Sequence, residues 1–254
     1  MTRVLNILII FFGLSFSLFS QKSAIYNNKG FPSSLGITEY VNNNSQSIIE
    51  EYEQLIDTLY DIYIYVEDLS SEKEDILGQF YTPDNIIITS EEKFTGFELK
   101  DLIKSKKVTS YYTGQTVKGT IFHELTHAYF NQSLILMQIE KKYVSPEYNI
   151  FKLYSNYNRQ FSVKFIEEGI CEYTVNYLNE RAAIESIRVP TSIDYLLDKE
   201  HIVNNIYRYS VIFLKDFLDE YGIKRGIEIL LGNKPPSLEE ILKPKLFFGR
   251  LNIN

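Results

Sequence analysis

The stretch GTIFHELTHAYF, residues 119–130, decides how the rest of the chain is read. Ile121, Phe122, Leu125, Ala128 and Tyr129, continued by Leu134 and Leu136, point in nearly all directions but one, the pattern of a helix buried on most sides. Thr116, Thr120, His123 and His127 form the remaining polar stripe, because positions four apart lie one turn above another, offset by about 40°. Two imidazoles placed so can chelate one metal ion. Glu124, about 100° round the helix, can reach a water on that ion without competing as a ligand. The chain has 3 histidines in 254 residues, and at that composition chance puts HExxH in roughly three chains per thousand. A metal site is therefore a better reading than a satisfied polar pair in the core.

A catalytic zinc site needs a third protein ligand and keeps a fourth position for water. Forty residues on, FIEEGICEYTVNYL (165–178) offers Glu167, Glu168 and Glu172 on a second helix. Glu168 and Glu172 are one turn apart on the same side, whereas Glu167 projects away from both. That pairing favours Glu168 over Glu167 as the ligand and leaves Glu172 to accept the other ring N–H of a ligating histidine. Gly169 removes a side chain where two helices must approach closely to share the ion. By themselves such acids would read as a solvated helix face. Beside HExxH they complete a set of His123, His127 and Glu168 for one Zn2+ ion.

HELTHA together with FIEEGICEY resembles the gluzincin metallopeptidases, the clan that contains thermolysin and the aminopeptidase N-like enzymes. The resemblance covers two motifs rather than the whole chain. It implies a zincin-like fold and hydrolysis of a peptide or protein substrate, with Glu124 as general base. The Glu before Gly in the family's EG motif is the third zinc ligand, which carries onto Glu168; the acid four residues later orients a ligating histidine, which carries onto Glu172. The interval from His127 to Glu168 is longer than is usual in the family, so residues 141–160 stand as an insertion with no assigned role. A third segment, NNIYRYSVIFLKDFLDEYG (204–222), resembles the following helix of those enzymes, where a Tyr donates to the oxyanion. This places Tyr207 as a catalytic residue, with Tyr209 and His201 as alternates. No GxMEN-like segment precedes the zinc helix, which favours an endopeptidase over an aminopeptidase. The competing reading is a non-catalytic zinc-binding scaffold or interaction domain with a peptidase-like fold, in which Glu124 would have no purpose.

Around these motifs the chain reads as one domain. Residues 1–20, with Arg3, an apolar stretch to Leu14 and small serines beyond it, read as a secretory signal peptide, with an uncleaved membrane anchor as the less favoured alternative. Export, to the outside or to a periplasm, follows, with no stable membrane association once the peptide is cut. Residues 21–44 are polar and turn-rich and are expected to be loosely ordered. From Ser45 a helical period (Ile48, Ile49, Tyr52, Leu55, Ile56, Leu59) leads into DIYIYVED, whose alternation reads as a strand, and ILGQFYTPDNIIIT reads as two strands turning at Pro83, Asp84 and Asn85. The strand ending near Thr89 is expected to present its edge to an extended peptide. Helices are expected over roughly 116–140, 161–180, 203–221 and 223–232, with a short one at SLEEIL. The expected class over 45–254 is thus α+β, a small N-terminal β-sheet followed by a mostly helical block.

Composition narrows the partners. Apolar residues make up 44% and aromatic ones 15% of the chain, ample for a packed core. A formal charge of -7 argues against holding nucleic acid or anionic lipid by charge and favours a peptide-like or neutral partner. Cys171 is the single cysteine, so no disulfide can form within the chain. Its acidic sequence neighbours read it as a small buried filler rather than a nucleophile.

Overall fold

In the computed structural model, residues 23–27, 37–59, 62–67, 78–82, 85–89, 110–148, 157–178, 189–202 and 205–253 are described; the segment read as a signal peptide lies outside them. Four short segments pair through their backbones: β1 (Ser23–Asn27), β2 (Ile62–Glu67), β3 (Gly78–Thr82) and β4 (Asn85–Thr89), in the order β1-β2-β4-β3. β1 and β2 are parallel, with Ser23 opposite Ile62, and the crossover that parallel pairing needs contains a helix, α1 (Ile37–Leu55). β4 runs parallel to β2, with Ile86 opposite Ile64, and antiparallel to β3. It is paired on both sides, so the expectation that the strand ending at Thr89 offers an open edge is not met.

The expected α+β class is also corrected. The body of the chain is 76% helical, with the paired segments lying outside it, and of their side chains Ile62 and Ile64 are the ones shown buried in the core. Nor do strands come first and helices after, since α1 precedes β2. The physical reason lies in length: segments of five or six residues bury little area, whereas the apolar faces of the long helices meet one another directly. The fold is mainly helical.

Those faces follow from the sequence period. α1 buries Ile48, Ile49 and Tyr52, spaced to share one side of a helix. The 30-residue helix α2 (Ser110–Ile139) is enclosed on most sides, with Ile121, Phe122, Leu125 and Ala128 fully buried. Its backbone turns away at Lys141, whose φ of 58° lets the Lys142 N–H close back on the Met137 carbonyl at 2.8 Å, a left-handed helix stop. The chain then enters the supposed insertion, of which residues 141–148 and 157–160 are described. Far from looping out, Ser145 donates its N–H to the Leu231 carbonyl at 2.8 Å, and a 3-10 turn (Pro146–Tyr148) buries Tyr148 edge-on to Phe130.

α3 (Tyr157–Tyr173) continues into a π-helical turn, Thr174–Leu178, and after the short α4 (Ile193–Leu197) a second π-helical turn, Asn205–Tyr209, leads into α5 (Ser210–Leu231). The two helices expected over 203–221 and 223–232 are one element broken at Gly222, whose φ of 71° and ψ of 166° interrupt the helical run. Two short helices, α6 (Leu238–Leu242) and α7 (Pro244–Gly249), close the chain. α6 starts with a capping box between Ser237 and Glu240 and α7 with a proline in its first turn, the two start signals a sequence can carry most plainly. Among the described residues no helix is long and apolar enough to cross a membrane.

Candidate metal centre

Two helices assemble the centre. α2 carries His123, Glu124 and His127; α3, packed across it, carries Glu167, Glu168, Cys171 and Glu172. α2 is fixed from behind by α1, where the Tyr52 hydroxyl donates to Thr126 Oγ1 at 3.3 Å and Thr126 donates to the Phe122 carbonyl at 2.8 Å. α3 is fixed by α5. A Cβ on Gly169 would lie 2.8 Å from Leu214 Cδ1, 2.9 Å from Ser210 Cβ and 3.0 Å from the Ser210 carbonyl oxygen. The close approach that Gly169 permits is thus to the helix following Tyr207, not to the histidine helix.

At the centre, His123 Nε2 lies 3.2 Å from His127 Nε2, and Glu168 Oε2 lies 3.1 Å from the first and 3.4 Å from the second. Each imidazole has its other nitrogen on a different carboxylate: His123 Nδ1 is 3.2 Å from Glu172 Oε1 and His127 Nδ1 is 2.9 Å from Glu167 Oε1. An ionised carboxylate only accepts, so each Nδ1 carries a hydrogen, and on a neutral ring the Nε2 lone pair faces Glu168 Oε2. With both rings neutral, three acceptor atoms face one another, and either a shared proton or a cation would hold them together. Size agrees. Corners this far apart lie about 1.9 Å from their common centre, slightly inside the roughly 2.0–2.2 Å at which zinc holds nitrogen and oxygen.

Glu167, which diverges on α3 from Glu168 and Glu172, still meets the site, at His127 Nδ1. Asn131 steadies it, its amide donating to the His127 carbonyl at 2.9 Å and to Glu167 Oε1 at 3.4 Å. Asn176 donates in the same way to Glu172 Oε2 at 3.2 Å. Cys171, read from the sequence as a small buried filler, has more around it than apolar packing. It is fully buried, but beside imidazoles: its sulfur and one nitrogen each from His123 and His127 all lie within 4.8 Å of one another, a group able to hold a metal. Its acidic neighbours in sequence gave no hint of this, because the histidines come from another helix. The available signal was its spacing, three residues after Glu168 and four after Glu167.

The electrostatics follow from burial and from this pairing. Burial opposes the imidazolium forms of His123 and His127, yet Cys171 and the carboxylates around them outweigh it and raise both well above the ordinary histidine value. Burial would raise Glu168, but the two imidazoles hold its carboxyl far below the usual range. A divalent cation competes with protons for these same atoms. Glu124 is buried, and that burial pushes its carboxyl upward against the pull of His123 and His127.

The three candidate oxyanion donors separate. The Tyr207 hydroxyl donates to Glu168 Oε1 at 3.3 Å, and its ring stacks on His123 with centroids 6.2 Å apart. Tyr209, two residues on, turns into the core and donates to the Ile241 carbonyl at 2.8 Å. His201 belongs to a second group with Asp198 and Glu200 that could also hold a metal; there its Nε2 is 3.7 Å from Asp198 Oδ2 and its ring packs on Tyr195. The chain matches no protein-family model, no curated protein and no solved structure, so the chemistry of the centre is read from its own geometry.

Proposed function

We propose that the chain is a zinc-dependent metallopeptidase of the gluzincin type, exported through its N-terminal segment and acting on peptide or protein substrates. The observation that carries this reading is the convergence of both histidine Nε2 atoms on Glu168 Oε2 while both Nδ1 atoms are held by carboxylates. His123, His127 and Glu168 would hold the ion, and Glu172 and Glu167 keep the two rings in the tautomer and orientation that ligation needs. Zinc, when bound, supplies a Lewis acid that polarises a carbonyl and acidifies water. Glu124, buried beside the histidines without being part of the triangle, takes the proton from the attacking water and delivers it to the leaving amine. The Tyr207 hydroxyl, on the Glu168 side of the centre, is the donor placed to steady a developing oxyanion.

One observation favours the second reading, a non-catalytic zinc-binding scaffold: the sulfur of Cys171 is close enough to the histidines to act as a further protein donor. Glu124→Gln separates the two readings. Peptide-library cleavage and zinc content are measured on the full protein and on the variant. The hydrolase reading expects unchanged zinc with cleavage lost at least a hundredfold. Cleavage at the original rate in the variant, or none by the original protein loaded with zinc, would remove it.

A further inference from the structure

The two helices differ in the donors they bring. α2 offers His123 and His127 four residues apart; α3 offers Glu168 and, three residues on, Cys171. Spacings of three and four on a helix set two side chains on one face, and about two to five intervening residues are typical between paired zinc ligands. We propose that Cys171 is a fourth protein donor to the same ion, so that the resting centre binds its metal through two nitrogens, one oxygen and one sulfur.

Three observations converge on this. The sulfur lies within 4.8 Å of a nitrogen of each histidine. Glu168 Oε2, three residues earlier on the same helix, already touches both Nε2 atoms, so the face of α3 that meets the histidines is the face that carries Cys171. And the thiol is fully buried, as is neighbouring Ile170, so no solvent competes for the sulfur. A thiolate in that position would leave water to enter as a fifth donor or on release of the sulfur, and it would favour zinc and other thiophilic ions over magnesium or calcium. The inference rests on the metal reading above and deepens it.

Because the chain contains one cysteine, the test has a single source of signal. The full protein is stripped, loaded with one equivalent of Co2+ and examined by electronic absorption, in a His201→Ala background that removes the exposed second group. The expected result is tetrahedral cobalt d–d bands together with a near-ultraviolet sulfur-to-cobalt charge-transfer band. Cys171→Ser and Cys171→Ala should lose the charge-transfer band while still taking up cobalt. Cobalt bound with no such band overturns the proposal and leaves the hydrolase reading standing. A band that persists in both variants also overturns it. No cobalt uptake at all, with the fold intact by circular dichroism, overturns both.

Discussion

Replacing Gly169 by alanine adds one methyl group at the seam between α3 and α5. It would start 2.8 Å from Leu214 Cδ1, 2.9 Å from Ser210 Cβ and 3.0 Å from the Ser210 carbonyl oxygen. Carbon pairs rest at about 3.5–4.0 Å, so the deficit against Leu214 and Ser210 is about 0.6–0.7 Å. None of the neighbours yields easily. Leu214 and Ser210 are fully buried, and the Ser210 hydroxyl is engaged with the Ile206 carbonyl one turn back. The helices must separate, which places the cost in the upper part of the overpacking range, about 2–3 kcal/mol. For a domain of this size that lowers the melting temperature by about 4–12 °C. The assay is thermal unfolding followed by circular dichroism, run as a double-mutant cycle with Leu214→Ala. Truncating Leu214 makes room for the added methyl, so Gly169→Ala should cost at least 0.5 kcal/mol less in that background than alone, the size of coupling seen between touching residues. An unchanged melting temperature for Gly169→Ala, or costs that simply add, would refute the close packing of α3 on α5.

Two further outcomes follow from elsewhere in the helical body. Gly222→Ala meets no atom within 4 Å, but φ 71° with ψ 166° is a conformation that glycine alone adopts readily, so it should lose about 1–3 kcal/mol through backbone strain; the same loss in a Leu214→Ala background, read by thermal unfolding, is expected, and an undiminished melting temperature argues against the break. Glu240 accepts from the Arg250 guanidinium and from the Ser237 N–H, and chiefly the Arg250 contact lowers its carboxyl to about 2. A depressed folded value stabilises above the unfolded one, near 4.5, and that contribution is lost as pH falls towards 2. With solvent screening the stake is about 1 kcal/mol. Glu240→Gln, which keeps the capping geometry, should therefore melt a few degrees below the original at pH 7 and level with it at pH 2; a gap independent of pH would refute the assignment.

What was legible in the sequence was what one helix can say about itself. His123 and His127 at an interval of four, and Glu168 before Gly169, are side-chain placements fixed by helical period, and the structure brings these three together. Gly222 was legible as a break for the same reason. Glu167 was not, because the wheel of α3 taken alone sends it away from Glu168. Two imidazoles that share a centre through Nε2 turn their Nδ1 atoms outward to opposite sides, and acids that diverge on α3 are what meet them. Cys171 was hidden by the same limit, its histidine neighbours lying on another helix. Strand alternation in DIYIYVED marked a local conformation but carried nothing about which strand ends up between which, or about how little of the core the paired segments supply. Tyr207 and Tyr209 differ by two residues in a π-helical turn, and only the packed structure separates the one on Glu168 from the one on Ile241.

The left-handed stop at Lys141 has a consequence for how the molecule could be taken apart. Lys141 and Lys142 are both exposed, and they stand in the connection between the helix that holds the histidines and the helix that holds the acids. A protease specific for basic residues, cutting there, would leave two fragments, one bearing all the nitrogen donors of the centre and the other all the oxygen and sulfur donors. Nothing covalent would join the halves of the site, and the persistence of the pair in solution would weigh the whole surface between the fragments, the α2–α3 packing included, with the tether taken off the scale.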